Sequence, residues 1–193
     1  MRELALHVLD ILRNTVDAGA THVTLIIEED SARDRLTITV SDDGRGMTPE
    51  TVAQVTNPFF TTRTTRHVGL GLPLLAAAAE RAAGDLRIAS TPGQGTTVEA
   101  TFQLAHPDRQ PLGDLPGTLL AFLLAEGAPQ LRYEHRVMRG PAASRTFRFD
   151  TAAIRAELGD VPLNHPAVVQ WLAEFLAEGE AELGDFRFRK AED

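Results

Sequence analysis

Asp10 and Asn14 stand four residues apart in a segment that is otherwise mostly apolar. On a helix this spacing puts both side chains in one narrow polar stripe with His7 and Asp17. A neutral amide oxygen beside a carboxylate suits a hard cation such as Mg²⁺, which completes its shell with phosphates and water. The carboxylate could instead take a proton from an attacking water or hydroxyl. A solvated helix face is the alternative interpretation, although four polar residues are costly to bury without partners.

A second group of candidate residues, Asp42-Asp43-Gly44-Arg45-Gly46, directly follows an apolar strand pattern. Glycines at this spacing let the backbone approach a flat ligand closely. A carboxylate at the strand end can accept a hydrogen bond from an exocyclic amine such as that of adenine. Asp-Gly turns are common, so this motif alone also fits an ordinary turn.

The segment PFFTTRTTRHVGLGL, residues 58–72, concentrates hydroxyl and guanidinium donors in an acidic chain. An oligophosphate needs such donors. Gly69 and Gly71 stand where this loop enters a predicted helix, whose N-terminal N–H groups can bind anions. A surface loop with locally paired arginines is the alternative. Residues 93–96, Gly-Gln-Gly-Thr, form an ordinary hairpin turn when considered alone.

The elements that must position these residues follow from apolar periodicity. We expect a helix over 3–18, a hairpin of HVTLIIEE and LTITV, and a short helix from Thr48. A helix from Leu72 to Gly84 and a hairpin of DLRIAS and TTVEATFQL come next. Helices should therefore cover one face of a largely antiparallel sheet.

Residues 106–117 are rich in Pro, Gly and Asp and are predicted to link a domain at 1–105 to a small α+β unit at 118–193. That unit should hold helices near 118–126, 151–158 and 166–178 and strands at 130–138 and 145–150. The strand pair is expected to be half exposed, with a partner surface as the alternative. Trp171, Phe175 and Leu176 recur at helical spacing and are predicted to be core residues.

Composition narrows the functional classes. The 193 residues carry a net charge of -8, which disfavours non-specific binding to nucleic acid or membrane surfaces. The chain has no cysteine, and its six histidines lack zinc spacing. The N-terminus has charges where a signal peptide has its apolar core, and no run reaches transmembrane length. A cytoplasmic protein is expected.

Together, in this order, the motifs resemble the ATP-binding superfamily shared by gyrase, heat-shock chaperones, sensor histidine kinases and mismatch-repair ATPases, often called GHKL. Asn14 matches its Mg²⁺-binding asparagine, and Asp42, Gly44 and Gly46 match its adenine-reading DxGxG. Residues 58–60 resemble the phenylalanine box of kinases, 69–72 the glycine box after a phosphate lid, and 93–96 the last box. The match covers residues 3–104.

The resemblance implies an α/β two-layer sandwich of the Bergerat type, with helices on one face of a mixed, mainly antiparallel sheet. It implies ATP and Mg²⁺ as cofactors, Asp10 as the catalytic carboxylate and Asn14 as the metal ligand. The residues expected to contact ATP are Asn14, Asp17, Asp42, Gly44, Gly46, Met47, Phe59, Thr61, Thr62, Arg63, Arg66, Gly69, Leu70, Gly71, Leu72 and Thr96.

Two branches of the superfamily are represented. NTVDAGATHVTL is similar to the mismatch-repair type, whose hydrolytic glutamate lies where this chain has Asp10. PFFTTR, GLGL and TPGQGTTVEATF are similar to histidine kinases, although His67 replaces a glycine of the kinase pattern. No helical hairpin with a phosphoacceptor histidine precedes these motifs, so self-phosphorylation of the usual kind is not expected.

The chain as a whole, including PLGDLPG and GDVPLNHP, resembles small stand-alone ATP-binding proteins encoded beside iron-only hydrogenase subunits. That resemblance implies a protein partner in a redox-enzyme setting. Three functions stay open: a kinase acting in trans, a slow ATPase that works as a conformational switch, and a non-catalytic ATP sensor. A homodimer also stays open.

Overall fold

A computed structural model describes residues 2–56, 71–140 and 143–188 of the chain. Its helices and strands follow one another in the order expected from the sequence. Their bounds are α1 (Leu4–Asp17), β1 (His22–Asp30), β2 (Arg35–Asp42), α2 (Pro49–Val52), α3 (Gly71–Arg81), β3 (Leu86–Thr91), β4 (Gly95–Gln103), α4 (Leu115–Leu123), β5 (Gln130–Met138), β6 (Ser144–Asp150), α5 (Thr151–Leu158) and α6 (Pro166–Phe188).

The strands form one six-stranded sheet in the order β3-β4-β2-β1-β5-β6. Only β1 and β5 pair in parallel, while every other neighbouring pair is antiparallel. Helices cover one face of this sheet. The predicted two-layer sandwich with a mixed, mainly antiparallel sheet is therefore confirmed.

One apolar core lies between the sheet and the helices. Alternate residues of β2, namely Leu36, Ile38 and Val40, are buried, as their spacing predicts. The core continues through α1 and α3 into Leu119 of α4 and Leu176 of α6. The same core therefore extends through residues on both sides of residues 106–117.

The segment expected to be a linker is attached to the start of α1. Leu4 N donates to Pro111 O at 2.9 Å, and Ala5 N donates to Leu112 O at 2.8 Å. These bonds satisfy N–H groups that a helix N-terminus otherwise leaves unpaired. Helix α4 begins inside the expected linker, where the Asp114 side chain accepts from Gly117 N at 2.8 Å. The division into two units stays a prediction, while β5 and β6 extend the sheet of the first unit.

Helix α6 runs to Phe188, ten residues beyond its expected end at 178. No helix in the described ranges is long and apolar enough to cross a membrane.

A buried ionic cluster fastens α6 to the sheet. His135 of β5 is fully buried, and its Nδ1 lies 2.8 Å from Glu180 Oε2 of α6. Its Nε2 lies 2.9 Å from Glu29 Oε1 of β1. Tyr133 donates its hydroxyl to Glu180 Oε1 at 2.6 Å, and Arg187 pairs with Glu29. The cluster thus joins β1, β5 and α6 around one imidazole ring.

Candidate functional site

The polar stripe of α1 changes in burial along the helix. His7 is 2% exposed, its Nε2 lies 3.1 Å from Gln110 Oε1, and burial lowers its pKa. Asp10 and Asn14 are half-buried one turn apart, and Asp17 is exposed at the helix end. The stripe therefore becomes more exposed along α1, from the buried His7 through Asp10 and Asn14 to the exposed Asp17.

The first residue of α3 lies against Asp10. A Cβ atom placed on Gly71 would lie 3.4 Å from the Asp10 Cβ and 3.7 Å from its Oδ2. The next residue, Leu72, is buried in the core. The described start of α3 therefore lies next to the carboxylate of α1.

Asp42 and Asp43 are adjacent in sequence but differ in environment. Burial raises the pKa of Asp42, although hydrogen bonds from the backbone N–H groups of Gly44 and Thr96 oppose this shift. Gly44 N donates to Asp42 Oδ1 at 2.9 Å. Asp43 accepts the Thr21 hydroxyl at 2.6 Å and backbone N–H groups of Thr21 and His22, which hold its pKa well below its usual range. Asp43 thus fixes the start of β1, and Asp42 is the half-buried carboxylate at the end of β2.

Gly44 and Arg45 bind the end of β2 to the end of α1. A Cβ atom on Gly44 would lie 2.8 Å from the Ala18 Cβ, so a larger residue would push the two segments apart. Arg45 N donates to Ala18 O at 3.0 Å, and its Nη1 donates to Asp17 O at 2.9 Å. The predicted residues Asp17 and Gly44 are thereby brought to one end of α1.

Gly46 and Met47 connect the same loop to the β3–β4 hairpin. Gly46 has φ of +64°, and a Cβ atom there would lie 2.0 Å from Thr91 O. Met47 N donates to Ser90 Oγ at 2.8 Å, and that oxygen lies 2.9 Å from Thr96 Oγ1. The loop after β2 therefore rests on Ser90 and Thr96, the second of which is a predicted site residue.

Comparison with known proteins shows to which family the chain belongs. The sequence profile described as histidine kinase-, DNA gyrase B- and HSP90-like ATPase matches residues 2–106, more than half of the chain. The chain belongs to this ATPase family. Residues 2–106 are a histidine-kinase-like ATP-binding domain, here called the ATPase domain.

Three curated relatives of the ATPase domain are named as sensor proteins. Sensor protein kinase FleS of Pseudomonas aeruginosa is 40% identical over 89 residues, which cover 46% of this chain and 22% of that protein. A putative sensor protein of Shewanella frigidimarina is 31% identical over 102 residues, 52% of this chain and 16% of the relative. Sensor histidine kinase ZraS of Salmonella typhi is 32% identical over 88 residues, 45% and 19% respectively. The chain spans less than a quarter of the length of these relatives.

A solved structure extends the likeness in fold. The crystal structure of the N-terminal domain of a DNA repair protein matches with a TM-score of 0.55 and 16% identity, over 76% of this chain and 52% of that one. At this identity the match shows a shared fold alone. Its coverage exceeds that of residues 2–106, so the shared fold includes part of the chain beyond the ATPase domain.

The predicted residues of the ATPase domain fall into two sets. The described set lies along α1, the loop after β2, β4 and the start of α3, and comprises Asp10, Asn14, Asp17, Asp42, Gly44, Gly46, Met47, Gly71, Leu72 and Thr96. The contacts above connect Asp10 with Gly71, Asp17 and Gly44 with the end of α1, and Met47 with Thr96 through Ser90. The predicted lid residues lie outside the described residues: Phe59, Thr61, Thr62, Arg63, Arg66, Gly69 and Leu70.

Within the described residues, no group of three or more His, Cys, Asp or Glu side chains could hold a metal ion. Asn14 and Asp10 provide one amide and one carboxylate oxygen on the same side of α1, which is the small protein donor set that Mg²⁺ takes when phosphates and water complete its shell. The residues present fit Mg²⁺ bound together with a nucleotide.

Ser90 and Thr21 are residues of the ATPase domain that the sequence analysis did not single out. Ser90 Oγ accepts from Met47 N and also lies 3.0 Å from Gly95 O. Ser90 stands opposite Thr96 as an ordinary polar residue of β3, and nothing in the local sequence marks it as the acceptor of Met47 N. Thr21 follows Gly19 and Ala20 as a simple strand start, and nothing local indicates its bonds to Asp43.

Replacing Ser90 with alanine is expected to lower the free energy of unfolding by roughly 1–2 kcal/mol, because the half-buried Met47 N–H loses its acceptor. Urea denaturation of the variant measures this change. Ser31→Ala, which removes an exposed hydroxyl bonded to Met138 O, is the matched control and should change stability by less than about 0.5 kcal/mol. Equal effects of the two substitutions would contradict the role given to Ser90.

Proposed function

We propose that this chain binds Mg²⁺–ATP where α1, β2 and α3 converge and transfers the terminal phosphoryl group to a protein partner. The observation that carries the proposal is the contact of Gly71 with Asp10. It sets the anion-binding end of α3 beside a carboxylate and an amide of α1. A phosphate held there would have its reacting end next to a proton acceptor.

Each described residue has a proposed role toward the nucleotide. Asp42 would accept the exocyclic amine of adenine, and Gly44 and Gly46 would let the backbone lie close to the base. Asn14 would hold Mg²⁺, which when bound supplies positive charge to the phosphates. The lid residues, named above, would close over the phosphates; their residue types and the kinase resemblance support this proposal.

Asp10 is the proposed base of the transfer. A nucleophilic atom of the partner attacks the γ-phosphorus, and the bond from that phosphorus to the β–γ bridging oxygen breaks. ADP leaves with the bridging oxygen, and Asp10 receives the proton of the nucleophile. With water as the nucleophile the same step is hydrolysis, which would make the chain a slow ATPase.

The ATPase switch is the second candidate function, and the attachment of residues 111–114 to α1 favours it. Leu4 and Ala5 at the start of α1 donate to Pro111 and Leu112, directly before α4. A shift of α1 on nucleotide binding would therefore move α4 and the elements that follow. In that case the C-terminal part would report the nucleotide state.

Incubation with γ-labelled ATP separates these functions. Label on a partner protein supports the kinase, free phosphate alone supports the ATPase switch, and bound ATP without either product indicates a non-catalytic sensor. The partner to test first is a redox enzyme of the iron-only hydrogenase type in the cytoplasm, because PLGDLPG and GDVPLNHP resemble stand-alone proteins encoded beside such subunits.

Asp10→Asn should lower phosphoryl transfer or hydrolysis by roughly 10²–10⁴-fold, since the amide cannot take the proton. ATP affinity, measured by equilibrium dialysis, should fall much less. Asp160→Asn, an exposed carboxylate after α5, is the control and should keep full turnover. Full turnover of Asp10→Asn would exclude Asp10 as the base.

A further inference from the structure

An open cavity lies where the ends of β5 and β6 meet α5 and the first turns of α6. Its volume is about 490 Å³, within the range of typical ligand-binding clefts. We call it the β6 groove. Its lining residues come from four elements: Arg132, Tyr133, Arg148, Phe149, Asp150, Ala153, Ile154, Trp171 and Phe175.

The floor of the β6 groove is aromatic and part of it is exposed. Trp171 is 46% exposed and stacks on Phe175, with ring centroids 5.2 Å apart and an interplanar angle of 19°. Phe149, beneath them, is buried. The prediction that Trp171 belongs to the core is wrong, because its helical spacing puts it over Phe175 but no described element covers its outer side. A half-exposed tryptophan stacked on a partly buried ring is typical of an interface anchor.

The rim of the β6 groove carries positive charge in a chain whose net charge is -8. Arg132 is exposed and forms no ion pair with a carboxylate of the described residues. Arg148 donates Nε to Glu134 at 3.0 Å, while its side chain stays 67% exposed. The one acidic lining residue, Asp150, accepts from Ala152 N at 2.8 Å and so caps α5. Arg132 and the exposed part of the Arg148 guanidinium can therefore contact an external anion.

Strand β6 forms one end of the sheet order, so the backbone groups on its outer side have no strand partner in the described residues. An extended peptide can add to such an edge through main-chain hydrogen bonds, with pockets for alternate side chains. Charges on an edge strand can also serve to prevent such pairing. A protective role does not account for the half-exposed aromatic floor that adjoins the strand.

We propose that the β6 groove docks an extended acidic segment of a partner protein. The segment pairs with β6, places carboxylates against Arg132 and Arg148, and inserts an apolar side chain over Trp171. A second copy of this chain fits less well, because antiparallel pairing of two β6 strands brings Arg145 and Arg148 of one copy near the same residues of the other. Docking does not depend on ATP binding or on phosphoryl transfer.

The test uses the full chain, whose single tryptophan is Trp171. The probe is a short blocked peptide of alternating glutamate and valine with one central phenylalanine. Titration with this peptide should shift Trp171 fluorescence to saturation. The same peptide with lysine in place of glutamate should leave the fluorescence unchanged.

Arg148→Glu should weaken binding of the acidic peptide by roughly tenfold, because one attractive charge becomes repulsive. Arg87→Glu is the matched control, since Arg87 is an exposed arginine on β3 at the opposite edge of the sheet, and it should bind as the unmodified chain does. Both variants change exposed side chains, and their thermal midpoints check folding. Trp171→Ala, followed through the anisotropy of a labelled peptide, should weaken binding by at least about tenfold.

Several outcomes would overturn the proposal. These are a Trp171 signal that does not saturate, equal binding of the lysine peptide, or equal losses in Arg148→Glu and Arg87→Glu. A concentration-dependent dimer that buries Trp171 without peptide would assign the β6 groove to a second copy instead. ATP binding measured in the same variants should stay unchanged, so failure of docking is distinguishable from failure of the nucleotide site.

Discussion

Glu180→Gln should lower the free energy of unfolding by about 3 kcal/mol, as measured by guanidinium denaturation below pH 6.5, where His135 is protonated. The Glu180 carboxylate accepts from the Tyr133 hydroxyl and lies 2.8 Å from His135 Nδ1, and His135 is fully buried. A neutral amide leaves the imidazolium with one carboxylate instead of two. Removing one partner of a buried ion cluster costs more than an exposed pair contributes, because the remaining charge has no water around it.

Glu182→Gln is the matched control for this prediction. It makes the same chemical change two residues further along α6, at an exposed position. Its effect should stay within about 0.5 kcal/mol. Equal effects of the two substitutions would show that the cluster does not stabilise the attachment of α6.

The buried ionic cluster also makes the stability of the fold depend on pH. Burial by itself would lower the pKa of His135, but its bonds to Glu180 and Glu29 outweigh burial and raise it above 6.5. Its contribution to stability is therefore complete below pH 6.5 and is lost as pH rises through the raised value. Burial would raise the pKa of Glu29, but His135 and Arg187 lower it overall, so its contribution is lost only as pH falls below 4.5 toward the lowered value. The stability difference between the unmodified chain and Glu180→Gln should shrink on the alkaline side.

Local patterns in the sequence predicted most of the fold. Alternation in LTITV determines which face of β2 is buried, and α1 needed only its apolar periodicity. The parallel pairing of β1 with β5 was not predictable in the same way, because it joins Val23 to Leu131 across more than a hundred residues. Periodicity shows which side of a strand is buried but does not identify its neighbour.

The same distinction explains what the sequence missed around His135 and Trp171. His135 lies on an ordinary strand pattern, and its partners Glu29 and Glu180 come from β1 and α6. Trp171 shares a helical stripe with Phe175, four residues further on. Phe175 is partly buried against the core, yet Trp171 is 46% exposed. Helical spacing gives a common face, but the extent of burial depends on which other element lies over that face.

The candidate site was more predictable than these clusters, because its residues carry chemical constraints within short motifs. Gly44 was singled out from sequence because its Asp-x-Gly motif stands in order with the other motifs, and the structure adds its contact with Ala18 as a reason for the missing side chain. Ser90 could not be singled out in this way, because in the sequence a serine whose hydroxyl accepts one backbone N–H looks like any other strand serine.

Asp42→Asn should weaken ATP binding by roughly ten- to a hundredfold, because the proposed hydrogen bond from the adenine amine to a carboxylate would be replaced by one to a neutral amide. Equilibrium dialysis or calorimetry measures the change. Asp43→Asn is the neighbouring control. Its carboxylate is engaged by Thr21 and His22, so this substitution should lower stability while ATP affinity changes little.

The pH dependence of binding separates a direct contact from a change in shape. Burial raises the pKa of Asp42, so the charged acceptor becomes a neutral, weaker one at a higher pH than for an exposed aspartate. ATP affinity of the unmodified chain should therefore fall on mild acidification, and the fall should be smaller in Asp42→Asn. If Asp42→Asn binds ATP as tightly as the unmodified chain at every pH, Asp42 does not read adenine. If the variant loses affinity but keeps the full pH dependence, another group titrates in the site, and the loss reflects displacement of the loop that Gly44 holds against Ala18.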